Sequence, residues 1–364
     1  MAAYVILLVF IYTTYFITRL GSDTAEGKNQ KFLVISFIAI YALCALRDYS
    51  VGRDISGYID TYEMAGYYPF MDNSWTHMEV GYVTFMQICS MLGLNSRLYL
   101  CVVYALMIYP IYLSIKRFSK DPLLSTVIFI CFQFLTFDLS GIRQGLALSI
   151  CLMSLPYADI RNKKDLFCFV VFLFLAFTIH KSSVIFAIVP ILLKLKLNFV
   201  NTLMSIIGLV IAPGLTSFFL SLNSESKYLF DDRLVMGGMV VFLFAILFFV
   251  LYSCLLNKKN NLNDNISGCR YSFSLTQYSF LLIAGMFFTL AFNGTMLFRS
   301  TMSYIILMAF AIPSAIKQYS PGMQSIITLT LHVVMLMFFY LFCLLPKTLD
   351  TVPYVLGSDI LFLQ

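Results

Sequence analysis

Six arginines, Arg47, Arg53, Arg97, Arg143, Arg233 and Arg299, stand apart from a positive charge that elsewhere is mostly lysine. A guanidinium fork donates parallel hydrogen bonds to phosphate or carboxylate oxygens, so these side chains are candidate anion ligands. Arg47 and Arg53 flank a turn, Arg47-Asp-Tyr-Ser-Val-Gly-Arg-Asp54, in which Gly52 interrupts any continuous helix and aims Arg53 and Asp54. Arg143 is followed by Gln144, and His180 by Lys181. Asp54, Glu79 and His180 are the candidate proton acceptors. Tyr58 and Tyr62 share a helical face and, with Tyr82, offer ring faces that suit sugars. Plainer readings stand beside these. The arginines pair locally with Asp48, Asp138 or Asp232, Asp54 pairs with Arg47 or Arg53, Glu79 caps a helix, His180 hydrogen-bonds within a bundle, and the tyrosines are interface residues.

Other chemistries find no residues to carry them. The nine cysteines lie mostly inside apolar runs with no C-x-x-C pair, which reads as small buried hydrophobes rather than disulfides or metal ligands. Walker A, G-x-G-x-x-G and H-E-x-x-H motifs do not occur. No cofactor, metal or nucleic-acid partner is expected.

The elements that must position these residues are membrane helices. With 60% hydrophobic and 12% charged residues, and a mean hydropathy of +0.87, the chain reads as an all-α, polytopic integral membrane protein forming a single transmembrane domain, 1–364. Placing the lysine-rich clusters inside predicts twelve spans: 4–18, 32–46, 98–115, 122–137, 144–158, 166–180, 183–193, 199–222, 235–256, 273–292, 300–316 and 323–345. Residues 47–97 form a large outer loop containing a re-entrant or interfacial segment, Gly81 to Leu94. The first run, with no basic residue before it and Arg19 after it, reads as a retained span. Phe32–Leu46 has 15 residues, and Gln144–Tyr157 and Leu166–Ile179 have 14 each. That is roughly 21–23 Å of helix against a hydrocarbon layer of ~30 Å. Arg47, Arg143 and His180 are therefore expected below the outer surface, lining a recess with Arg299 as its fourth wall. Helix tilt or local thinning of the bilayer is the alternative. The Asn293-Gly-Thr295 sequon reads as chance.

Ala45-Leu-Arg47, Val51-Gly52-Arg53-Asp54 with Tyr58, Glu79-Val-Gly81-Tyr82, Arg143-Gln144 and His180-Lys181-Ser182, taken in order, resemble the landmarks of EpsG-like proteins, which belong with the Wzy-type polymerases of bacterial O-antigen, capsule and exopolysaccharide. Arg299 and Pro353-Tyr354 extend the likeness. Ile55 departs from it, standing where the family often has a hydroxylated residue. The resemblance implies a glycosyltransferase-C-like bundle in the bacterial inner membrane. It implies a metal-independent enzyme that joins undecaprenyl-diphosphate-linked oligosaccharide repeat units at the periplasmic face, with flippase and chain-length-regulator membrane proteins as partners. On that reading Arg143 and Arg299, assisted by Arg47, hold diphosphate, with Arg53, Gln144 and Lys181 nearby, and the base is His180, Asp54 or Glu79. A lipid-linked oligosaccharide flippase or transporter, an O-antigen ligase and a membrane acyltransferase are the competing readings.

Overall fold

The computed structural model describes residues 1–222, 233–259, 273–292 and 296–359, and these are helical, with a single isolated bridge between Arg47 and Leu356 among them. In order, the helices are α1 (Ala2–Leu20), α2 (Ala25–Ala45), α3 (Ile55–Ala65), α4 (Val80–Met91), α5 (Ser96–Phe118), α6 (Pro122–Cys131), α7 (Phe134–Ser140), α8 (Ile142–Ser154) and α9 (Lys163–Ile179). Next come α10 (Val189–Leu192), α11 (Phe199–Leu222), α12 (Arg233–Lys259), α13 (Leu275–Ala291), α14 (Met302–Ile305), α15 (Met308–Ile316) and α16 (Pro321–Phe339). Two 3-10 segments, Lys181–Ile188 and Met296–Thr301, precede α10 and α14. The sequon, Asp232, Arg270 and the side chain of Arg233 lie outside the described residues.

Short polar residues start several helices by satisfying amide groups that the first turn leaves unpaired. The side chains of Thr24, Asn95, Asp121 and Asn162 accept from the backbone amides of Gly27, Leu98, Leu124 and Asp165. Ser274 and Gln277 form a reciprocal capping box at the start of α13. Pairwise packing then runs α1 on α2, α2 on α5, α5 on α8 and α8 on α9, while α11, α12 and α13 group together and α15 sits against α6, α12 and α13. The segment Arg299–Ile316 is 89% buried and α6 is buried from Leu123 to Cys131, so the core lies around them. By contrast α1 and α16 expose Val5, Ile6, Phe16, Ile326, Leu329 and Val333, apolar side chains suited to lipid.

Among the described residues, five helical segments are long and apolar enough to cross a membrane, or six if the bent pair α6–α7 is one span. The twelve predicted spans are not all continuous helices of that kind. The run 122–137 breaks at Phe132–Gln133 with a 49° bend, Gln133 taking a left-handed conformation. The run 183–193 is mostly a 3-10 segment, and 300–316 is assembled from a 3-10 turn, α14 and α15. Apolarity, which hydropathy reads, does not reveal where a buried segment changes helix type. One of the short-span arguments also fails: α2 begins at Ala25, reaching into polar sequence, and its 21 residues suffice to cross. The re-entrant expectation for Gly81 to Leu94 falls on α4, one 12-residue helix about 18 Å long that packs on α3 and α9. Its Gly81 is required by closeness, because a Cβ there would stand 2.7 Å from the carbonyl oxygen of Thr178.

Candidate active site

Glu79 occupies the N-cap position of α4, yet its side chain makes no capping bond. It reaches instead to the C-terminal end of α9. One carboxylate oxygen accepts from Arg143 Nη1 at 2.6 Å; the other takes the Lys181 backbone N–H and His180 Nδ1, each at 3.0 Å. His180 ends α9 in extended conformation, which swings the ring out of the helix line toward Glu79. Burial alone pushes the Glu79 carboxyl upward, but His180, the Lys181 amide and Arg143 outweigh it and hold the group at about 2. Glu79 is therefore ionised, and with His180 Nδ1 given to it, the imidazole presents Nε2 to the other side.

That Nε2 has no protein partner. His180 lines a small, partly open pocket together with Gln144, Ser182, Ser183, Arg299 and Ser300, with Phe137 and Cys151 among its apolar lining. Ser183 Oγ and Ser300 Oγ are likewise buried without partners. Leaving such an atom unsatisfied costs about 1–3 kcal/mol, so three around one gap mark a place kept for a guest. The two 3-10 segments supply the facing walls, Ser183 from the first and Ser300 from the second, with His180 at the extended residue that precedes the first and Ser303 in α14 after the second.

Arg299 gives Nη1 to Asp54 at 2.8 Å, joining the pocket to the turn that opens α3. This turn is held closely: Gly52 has φ +108°, and a Cβ there would collide with the carbonyl oxygen of Leu139. Its backbone is laced to the C-terminal segment, with the Gly52 and Arg53 amides donating to the carbonyls of Asp350 and Leu349 and the Asp48 amide to that of Val355. Tyr58 connects the two ion pairs, its ring lying among Arg143, Asp54 and Arg299, and burial raises its hydroxyl pKa.

Asp54, Glu79, Gln144, His180 and Arg299 thus gather at one place with Arg143 and Tyr58, and Lys181 joins through its backbone while its side chain is exposed. The pairings differ from those the sequence suggested. Asp54 meets Arg299 rather than Arg47 or Arg53, and Arg143 meets Glu79 rather than Asp138. Arg47 lies elsewhere: it is fully buried, donates Nη2 to the Leu139 carbonyl at 2.6 Å and stacks on Tyr104 at 4.9 Å. Arg53 is half-exposed and pairs with Asp350. The expectation of free tyrosine faces is corrected. Tyr62 stacks on Tyr99 at 4.0 Å and gives its hydroxyl to the Leu94 carbonyl. Tyr82 is fully buried with its hydroxyl on that of Tyr99, and Tyr58 packs edge-on to Tyr82. All three rings are covered by protein because the aromatic face of α3 closes over α4 and α5. From sequence, Ser183 and Ser300 stood in the expected recess walls His180–Ser183 and Phe298–Ser300 only as neighbours of His180 and Arg299, and Ser303 was missed, since serines within apolar runs carry no signal until their neighbours are known.

Among the described residues no three His, Cys, Asp or Glu side chains converge as metal donors, and the fixed positive charge at this site belongs to Arg143 and Arg299. The site thus sets a carboxylate-held histidine and an ion-paired arginine, Arg299, beside one pocket of an all-helical membrane protein, with the Arg143–Glu79 pair behind the histidine. The chain belongs to the EpsG family, which it matches over residues 30–356, and that family is related to the Wzy-like polysaccharide polymerases. It is a membrane protein of polysaccharide biosynthesis. No curated protein and no solved structure matches it.

Proposed function

We propose that this protein polymerises undecaprenyl-diphosphate-linked oligosaccharide repeat units by glycosyl transfer at the periplasmic face of the bacterial inner membrane. The observation that carries the reading is the Glu79-held His180, whose Nε2 has no protein partner, lining a pocket whose other wall bears Arg299. In the proposed reaction an acceptor sugar hydroxyl loses its proton to His180 Nε2 as its oxygen bonds to the anomeric carbon of the growing chain. The bond from that carbon to the diphosphate oxygen breaks, and its electron pair leaves with undecaprenyl diphosphate. Ionised Glu79 holds the ring in register and offsets the imidazolium that forms. Arg143, whose Nε has no protein partner, and Arg299 stabilise the charge developing on diphosphate. Asp54 is proposed to aim Arg299. Gln144 hydrogen-bonds sugar at the pocket wall, and Arg47 fixes the Leu139 backbone beneath the site rather than touching diphosphate.

The reading is tested by deleting the gene and resolving the cell's surface polysaccharide on a gel. Loss of a polymerase leaves single repeat units and no ladder, and the wild-type gene restores the ladder. A missing capped core with intact lipid-linked polymer assigns a ligase instead, and repeat units trapped on the cytoplasmic side assign a flippase.

A further inference from the structure

The pocket beside His180 has room for one water-sized group and opens on one side. Three buried atoms without protein partners, His180 Nε2, Ser183 Oγ and Ser300 Oγ, belong to residues that border it. Ser183 is 5% and Ser300 6% exposed, so bulk water does not serve them. Their chemistry selects the guest. His180 Nδ1 is committed to Glu79, so in the neutral imidazole Nε2 offers a lone pair and needs a donor. A serine hydroxyl both donates and accepts. Phosphate oxygens have no proton for Nε2, and a phosphate group exceeds the space. A sugar hydroxyl has the required size, one proton to give and lone pairs to receive.

We propose that Ser183 and Ser300 are positioning residues that hold the acceptor sugar's hydroxyl against His180 Nε2. The assignment rests on the polymerase reading and deepens it: on binding, the hydroxyl points its proton at Nε2 and accepts from the two serines, which fixes which oxygen of the acceptor reacts, and one of these serine bonds is given up as that lone pair attacks the anomeric carbon. Ser303 does not share the role, because its hydroxyl is spent on the Ser300 carbonyl at 2.5 Å.

The test uses the purified full-length protein with a radiolabelled lipid-linked repeat unit whose non-reducing end is O-methylated, so that it donates without accepting. Unmodified lipid-linked unit is the varied acceptor. Ser183→Ala and Ser300→Ala remove no hydrogen bond within the protein, so melting temperature should stay or rise, while acceptor KM rises about tenfold in each and donor KM holds. Parallel loss of melting temperature, donor KM and acceptor KM makes the serines structural and overturns the assignment. So does an unchanged acceptor KM in both variants alongside working wild-type protein. Absence of any joining by the wild-type protein overturns the polymerase reading itself, and the serine assignment with it.

Discussion

Glu79 is a shared anchor: one carboxylate fixes an arginine, a histidine and a backbone amide that come from three segments of chain. Its replacement by glutamine leaves Arg143, 16% exposed, without its ion partner, at a cost of about 3 kcal/mol. The acid response has a definite sign. A carboxyl held at about 2, below its ordinary 4.5, contributes stability that is complete above about pH 4.5 and is lost as pH falls through about 2. Melting curves of wild type and Glu79→Gln in detergent should therefore differ most at neutral pH and converge toward pH 2; a gap that is constant throughout removes ionised Glu79 from the anchor. At Arg143, lysine keeps charge but loses the planar fork. Arg143→Lys should express normally and lose at least about tenfold in chain growth on complementation of the deletion. Wild-type chain length would reduce the guanidinium to one half of an ion pair. For His180, glutamine should abolish chain growth with donor binding retained; a fall in donor binding and protein yield alongside makes the ring structural. The residue types at the site were legible from sequence because charge is rare in this chain and so conspicuous. Their pairings were not, since Asp54 and Arg299 are 245 positions apart and only packing brings them together.

Between helices, the segment that places the Gly52 turn comes from the far end of the chain. Residues 349–359 run back across the end of α2: the Gly357 amide bonds the Leu46 carbonyl, and the Tyr4 and Tyr354 hydroxyls bond the carbonyls of Thr351 and Leu43. Arg97, at the start of α5, is the tie. It is 3% exposed, gives Nη1 to the carbonyls of Ala45 and Arg47 and meets Asp359 through Nε and Nη2. Sequence marked Arg97 as one more outward arginine, because nothing local says that its partners are two carbonyls at the end of α2 and a carboxylate near the C-terminus. Arg97→Ala leaves those carbonyls unpaired and should destabilise the protein by about 3 kcal/mol, with the active pocket untouched in composition. Thermal unfolding of the purified variant measures this, and Asp359→Asn should reproduce only part of it. An Arg97→Ala protein as stable as wild type would show that the strap is held by its backbone bonds alone.

Across the whole molecule, sequence gave the membrane class readily, since apolar composition follows directly from the solvent a chain must dissolve in. Span count was harder to read, because a segment buried among other helices is free to bend, as α6 and α7 do, without exposing backbone to lipid. Sidedness is the quantity that joins fold to proposed function. Arg143 starts α8 and His180 ends α9, while at the opposite ends of these helices Arg161 lies in the link between them and Lys163 and Lys164 in the first turn of α9. If lysine-rich ends face the cytoplasm, the pocket faces the periplasm, where the diphosphate-linked substrate of the proposed reaction is found. A cysteine at exposed Ser74, in the loop that leads to Glu79, should then react with an impermeant thiol reagent on intact spheroplasts, and one at exposed Lys164 only after the membrane is opened. Both are placed in a background with the native cysteines replaced, so that the half-buried Cys101 and Cys168 do not contribute. The opposite pattern would turn the pocket toward the cytoplasm and leave its arginines on the wrong side for the proposed polymerase, while leaving the ion pairs and their stabilities as described.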